Sequence, residues 1–403
     1  RRIHHPMEVC TVKQDDKLIA LCRELIRRPS VSGEEQAAAE YLRSTMLSLG
    51  YHGAETDRYG SVLGCIRGSR PGPAILLDGH IDTVPVGDPA LWTHDPFGGE
   101  IQGDRLYGRG TSDMKGSVAA MVLAAARFAK DTGGDFQGTI WVSCSVQEER
   151  FEGVACREIA RLAQPDYVIV GEATGTALNI GQRGRAEVVV ETRGVSCHSA
   201  NPEKGVNAVY HMAELIGALR RLPPPEHPLL GKGILELTDI ISEPYPGASV
   251  VPALCRATFD RRHLPGETPE SILSPIQEAA ADLKTRLPQL DVRAYLSQGS
   301  SACWTGEVME AERFFPAWVL PEDHPLVQGA LRGLQEAGLD APLSHYAFCT
   351  NASSFCGELG IPTVGFGPSR ENLAHTADEY IEISQLERAC RGFQGILRAL
   401  TVG

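Results

Sequence analysis

The stretch AILLDGHIDTV, residues 74–84, runs from apolar to metal-ligand chemistry within a few positions. Its apolar run, Ala74–Leu77, is short and bounded by turn residues, so it reads as a buried strand. His80 and Asp82 then fall just past the strand's C-terminal end. Outward from there, Val62–Ile66, Thr139–Ser145 and Asp166–Val170 read as strands by the same reasoning. Residues 15–28 (DDKLIALCRELIRR) place apolar side chains at helical spacing and stop at Pro29. Residues 33–49 repeat that pattern, and residues 115–130 form a third helix. Strands alternating with helices imply an α/β layer with a mostly parallel sheet. The stretch 79–111 is long, irregular and rich in Gly, Pro and Asp, which in a compact domain usually signals function.

The pattern changes near Gly184. Residues 185–193 (RAEVVVETR) alternate as a strand should, and Gly205–Arg221 is helical. Residues 233–242 and 250–261 are two further strands, Thr268–Leu287 a helix, and Leu290–Leu296 a last strand. The order β-α-β-β-α-β is that of a ferredoxin-like α+β unit. Its internal connector, LPPPEHP at 222–228, is rigid. Beyond Trp304 the α/β character returns with a helix at 324–338, a strand at 361–366 and a helix at 384–400. The expected division is residues 1–184 plus 300–403 as one domain, with 185–299 inserted into it.

A hydrophobic share of 42% and a charged share of 22% are those of a globular protein able to bury a core. The net charge of −13 argues against nucleic acid, which requires basic patches, and against an anionic membrane surface. Eleven cysteines, scattered without a C-x-x-C pair, fit buried thiols in a reducing compartment. No apolar run is long enough to span a membrane. Arg1 to Cys10 lacks the apolar core of a signal peptide, and Met7 would make a natural start. The expected location is the cytoplasm.

The residues that carry chemistry occupy equivalent places. His80 and Asp82 follow one strand; Glu148 and Glu149, in SVQEE, follow Thr139–Ser145; Glu172, in VGEAT, follows Tyr167–Val170. Asp113 lies in GRGTSDMKG just before a helix, and His375 in NLAHTAD beyond the strand that ends at Phe366. Sites in open α/β sheets form in the crevice outside the carboxyl ends of the strands, so these groups should converge. Each has a plainer explanation when taken alone: a structural loop histidine, a solvated glutamate pair, a helix-capping Asp113, a surface pair of His375 with Asp378. Together they would gather Asp82, Asp113, Glu148, Glu149 and Glu172, whose mutual repulsion calls for a cation. Imidazoles mixed with carboxylates suit zinc, with cobalt or manganese as substitutes. The number of carboxylates favours two divalent ions over one.

The segments GHIDTV, LYGRGTSDMKG, VQEE, VGEAT and AHTADE resemble, in order and spacing, those of the M20 metallopeptidase family of deacylases and peptidases. QRGRAEVVVETRGVSCHSANPEKGVNA, FDRRHLPGET and FGPSRENLAHTADE resemble a subgroup linked to selenium metabolism. The resemblance covers nearly the whole chain. It implies two zinc ions per subunit, with Asp113 between them, His80 and Glu172 on one, and Glu149 and His375 on the other. It implies that Asp82 bonds the far nitrogen of His80 and that Glu148 is the general base for water attack. Adjacent strand residues point to opposite sides, so Glu148 and Glu149 can share a site only where the chain kinks. The inserted unit corresponds to the family's lid and dimerisation domain, implying a homodimer.

On that lid, His198 in GVSCHSANP matches a histidine that stabilises the oxyanion, commonly from the partner subunit. Arg262, with Arg261 as its competitor, matches an arginine that binds the substrate carboxylate. Thr350 and Asn351, in FCTNAS, match substrate-contacting positions. One departure is visible: Ser249, in GASVVPA, stands where the family often has an asparagine. By the family's tendency, the resemblance with glutamate at 172 implies an N-acyl amino acid or a C-terminal amide rather than an aminopeptidase substrate. The expected reaction is therefore hydrolysis of a linear amide or peptide bond in a small acyl-amino acid or short peptide. The alternatives are a ureido or carbamoyl C–N bond, and a non-catalytic metal-binding protein on the same scaffold.

Overall fold

The computed structural model describes residues 15–402. The readings made for Arg1 to Cys10 lie outside them. The main sheet has nine strands, and its central four run parallel: Gln137–Ser145, Arg70–His80, Tyr167–Val170 and Thr363–Gly365. These strands are buried on both faces and therefore read as nearly continuous apolar runs. Gly53–Thr56 and Val62–Arg67 add antiparallel strands on one side; on the other Leu178–Gln182 joins antiparallel, flanked by Trp318–Val319 antiparallel and Leu343–Tyr346 parallel to it.

Several strands carry no clear signal in the sequence. Leu178–Gln182 (LNIGQ) is wholly buried although it alternates Asn and Gln with apolar residues, because Gln182 is bonded to Thr350 and Cys349. The hairpin Gln298–Ala302 with Val308–Glu312 is exposed on alternate residues and lacks an apolar run. The first strand of the argument is also longer than expected, running from Arg70 through His80 itself.

The register sets the strand ends level. His80 pairs with Ser145, Asp78 with Val170, and Val170 with Gly365. Behind these ends lies the helix Gly116–Asp131, rich in alanine and buried along most of its length. Gly79 and Gly171 allow it this close: a Cβ on Gly79 would meet Met114 and Met121 at 2.6 Å, and one on Gly171 would meet Ser117 at 2.7 Å. Small residues here bring the segment before that helix, which contains Asp113, to the ends of the strands.

A second sheet is antiparallel, in the order Ile234–Glu243, Leu254–His263, Gly184–Arg193, Asp291–Leu296. With the helices Ala208–Leu219 and Pro269–Lys284 it follows the ferredoxin-like connection order. Asn207 and Thr268 cap those helices, Thr268 in a reciprocal box with Ser271. This unit has a core of its own, built from residues such as Val188, Val190, Leu215, Phe259 and Ile276. The cysteines of the described region are free. No helix among the described residues is long and apolar enough to cross a membrane.

Candidate metal centre

His80 ends its strand fully buried, and its ring orientation is fixed from behind. Nδ1 lies 2.9 Å from the backbone carbonyl of Asp82, to which it donates, and 3.5 Å from that residue's carboxylate. Nε2, on the opposite side of the ring, faces three carboxylates: Asp113 at 3.0 Å, Glu172 at 3.4 Å and Glu148 at 3.7 Å. His375, about half exposed, reaches Asp113 at 3.0 Å and Glu149 at 3.1 Å through its own Nε2. Asp113 thus bridges two imidazoles, one through each oxygen.

The chain kinks where Glu148 and Glu149 need it. The strand ends at Ser145, and Gln147 adopts a left-handed φ of 62°, which sends both glutamates toward the cluster. The carboxylate of Asp82 holds this turn by accepting the backbone N–H groups of Glu148 and Glu149, each at 3.0 Å. Ser32 donates to it as well, at 2.6 Å. Asp82 therefore joins the His80 strand end to the Glu148 turn, through its carbonyl on one side and its carboxylate on the other.

Asp113 is set by a buried glutamate. Oε1 of Glu379 accepts the N–H groups of Ser112 and Asp113, at 2.9 and 3.1 Å. Arg109 donates to the other oxygen and to the carbonyl of Thr376, next to His375. Asp378, weighed above as a partner for His375, instead accepts from the backbone N–H groups of Thr93 and His94 and so ties down the long 79–111 loop. Arg109 and Glu379 both stand within the motif segments. They are 270 residues apart in sequence, and nothing in the spacing marks them as a pair.

The electrostatics are those of an acidic cluster short of positive charge. Burial pushes Glu148 well above the usual carboxylate range; His80 opposes this, while Glu172 and Glu149 reinforce it. Burial and the charge of Asp113 raise Glu149 to about 7. Burial likewise raises Glu172. Although burial works against it, the charges of Glu148 and Glu172 hold His80 well above its ordinary value. Bonds to Asp113 and Glu149 raise His375 to about 10. Donor atoms of His80, Glu148 and Glu172, and of His80, Asp113 and Glu149, each lie within 4.8 Å of one another. Carboxylates gathered this closely repel one another, and positive charge placed among them relieves the repulsion. The residues fit a hard-to-borderline divalent metal.

The remaining expected residues sit apart from this cluster. His198 is on an exposed loop, bridged to Val250, and its Nδ1 accepts from Ala200. Ser249 has a left-handed φ of 57°, a conformation suited to asparagine or glycine. Arg262 is bonded to Asp260 at 2.7 Å, whereas Arg261 is nearly buried and held by Glu267 at 2.6 Å. Thr350 and Asn351 are closed off from solvent. Thr350 donates to Gln182, and the Asn351 amide donates to Asp78 and Ser145, each at 2.9 Å.

A parallel sheet whose strand ends collect two imidazoles and four carboxylates defines a metal-binding α/β protein. Comparison with known proteins makes the class specific. The profile of Peptidase family M20/M25/M40 matches residues 76–399. The protein YgeY of Escherichia coli (strain K12) is 35% identical over 363 residues, 89% of this chain and 88% of its own. A succinyl-diaminopimelate desuccinylase of Cereibacter sphaeroides is 31% identical over 396 residues, 94% and 98% of the two chains. The aminopeptidase PepT of Bacillus cereus ATCC 10987 shares the fold with a TM-score of 0.74 at 20% identity, over 96% of this chain and 98% of its own. The chain belongs to the M20 family and is a metal-dependent amide or peptide hydrolase.

Proposed function

We propose that this protein hydrolyses a linear amide bond in a small N-acyl amino acid or short peptide at a dinuclear centre. Asp113 would lie between two metals, with His80 and Glu172 on one and Glu149 and His375 on the other. Zinc suits this donor set, and cobalt or manganese can replace it. When bound, divalent ions supply positive charge that polarises a carbonyl and acidifies water. The observation that carries the reading is the convergence of both histidines on the two oxygens of Asp113.

The protein's own groups do the rest. Glu148 is buried within the cluster, its carboxylate 3.7 Å from Nε2 of His80, where it takes the proton of the attacking water and passes it to the leaving nitrogen. Asp82 holds Glu148 in place through the backbone rather than by touching substrate. Arg262 is oriented by Asp260, and its partly exposed guanidinium suits a substrate carboxylate. Thr350 and Asn351 act from within the protein: Asn351 fixes Asp78, two residues before His80.

His198 would reach the oxyanion from a second subunit of a homodimer. The edge strand Ile234–Glu243 supports such an assembly, since it leaves Ile234, Ile240 and Ile241 exposed. A cytoplasmic location fits the free thiols. The direct experiment is a panel of N-acetyl, N-succinyl, N-carbamoyl and dipeptide substrates on zinc-, cobalt- and manganese-loaded protein. Turnover of an N-acyl amino acid or dipeptide is expected. Turnover of N-carbamoyl substrates alone would replace the amide with a ureido bond, and no turnover with two metals bound would overturn the enzymatic reading of this site.

A further inference from the structure

The turn that carries Glu148 and Glu149 is fastened by charged contacts to residues beyond the main sheet. Arg150 donates to Ser301 at 2.6 Å, and Arg313 donates to the carbonyl of Arg150 at 2.7 Å. Glu152 receives Nη1 of Arg185 at 2.9 Å. Arg185 belongs to Gly184–Arg193, a strand of the second sheet, and its Nε bonds the carboxylate of Asp260 at 2.9 Å. The other oxygen of Asp260 receives Nε of Arg262 at 2.7 Å. An alternating series of charges, Glu152–Arg185–Asp260–Arg262, therefore runs from the Glu148 turn to the second sheet.

The strand pairing explains this alignment. Arg185 and Arg262 are directly opposite each other on neighbouring strands, and Asp260 is two residues from Arg262 on the same face. All four side chains are partly shielded, between 14% and 25% exposed. Three of them also act on one thiol through their charge: burial pushes Cys349 well up, helped by Glu152 and Glu148 and opposed by Arg262 and Arg185. Arg185 bonds both Glu152 on the turn and Asp260 on the neighbouring strand, and it does so with two different nitrogens. A guanidinium can serve two carboxylates in this way, while a lysine ammonium lacks the fork.

We propose that Arg185 is a positioning residue that ties Arg262 to the Glu148 turn, so that carboxylate binding and placement of the general base are set together. It rests on the roles assigned above to Arg262 and Glu148. The test uses the full-length, metal-loaded protein with Arg185→Ala, Arg185→Lys and Glu152→Gln. With a carboxylate-bearing substrate, Arg185→Ala is expected to raise KM and lower kcat, about tenfold or more in kcat/KM, as misplacement at a distance commonly does. With the same substrate amidated at the carboxylate, only kcat should fall. Arg185→Lys should recover part of the loss, and Glu152→Gln should have little further effect once Arg185 is gone. Equal losses on both substrates, or independent effects of the two positions, would overturn the proposal.

Hydrogen exchange gives a second readout that needs no turnover. In Arg185→Ala with a wild-type far-ultraviolet spectrum, peptides covering 146–153 and 254–263 should both exchange faster. Change in one alone, or in neither, contradicts the tie. If the wild-type chain hydrolyses nothing in the panel, the proposed function fails while exchange still decides whether Arg185 links the two segments.

Discussion

Nη1 of Arg109 donates to Oε2 of Glu379 at 2.6 Å, and the two side chains are only 4% and 1% exposed. The remaining oxygen of Glu379 holds the backbone of Asp113. Breaking a buried pair by neutralising one member leaves the other charge uncompensated, at a cost of about 3 kcal/mol or more. Glu379→Gln should lower unfolding free energy by about that amount in denaturant titrations and should weaken zinc binding. Wild-type stability in this variant would show that the pair does not hold the Asp113 loop.

The carboxylate of Asp82 accepts from Ser32, Glu148 and Glu149, and its carbonyl accepts from His80. Asp82→Ala removes an acceptor for two backbone N–H groups and keeps the carbonyl. Groups behind metal ligands commonly contribute ~10–100-fold to metal affinity, so zinc should be lost to a competing chelator at correspondingly lower chelator concentration. Asp82→Asn keeps one acceptor oxygen and should lose less. Unchanged zinc affinity in Asp82→Ala would argue that the turn holds its shape without this carboxylate.

His263 lies outside the metal cluster, fully buried and stacked on Phe314 with ring centroids 4.6 Å apart. Burial, followed by the charge of Arg261, pushes it down to about 4. A histidine whose folded pKa is depressed binds fewer protons folded than unfolded between that value and about 6.5. Stability should therefore rise with pH through this window and fall as pH drops from 6.5 toward 4, by on the order of 3 kcal/mol from this group. Urea unfolding at stepped pH should show a shallower slope in His263→Leu than in wild type. Identical slopes would mean that His263 titrates normally in the folded chain.

The exposed isoleucines of strand Ile234–Glu243 make the proposed dimer testable. Light scattering should return twice the chain mass, and Ile240→Lys with Ile241→Lys should return one chain mass with turnover reduced. A wild-type monomer with full turnover would remove His198 from the reaction.

The strand ends were legible because burial on both faces leaves apolar runs that stop at polar residues, as at AILLDGH. The ferredoxin-like order was legible for a similar reason, since its strands alternate cleanly. Leu178–Gln182 was not, because the buried amide of Gln182 is satisfied by partners distant in sequence. The contacts around the metal cluster were hidden for the same reason. Asp82 bonds the far nitrogen of His80 as expected, but it does so through its backbone carbonyl, while its carboxylate caps the Glu148 turn. Arg109 and Glu379 find each other only through the fold. Residue type and strand placement thus indicated which groups gather, while the roles of the supporting residues depended on backbone geometry such as the left-handed Gln147.

The central claim is a two-metal site with Glu148 as its base. It is tested most directly by metal analysis and turnover of Glu148→Gln beside wild type, on a substrate the panel has identified. Both proteins should retain two equivalents of zinc, with kcat of the variant lower by about 10²–10⁴-fold. A variant that binds the same metal and turns over at the wild-type rate would contradict the account.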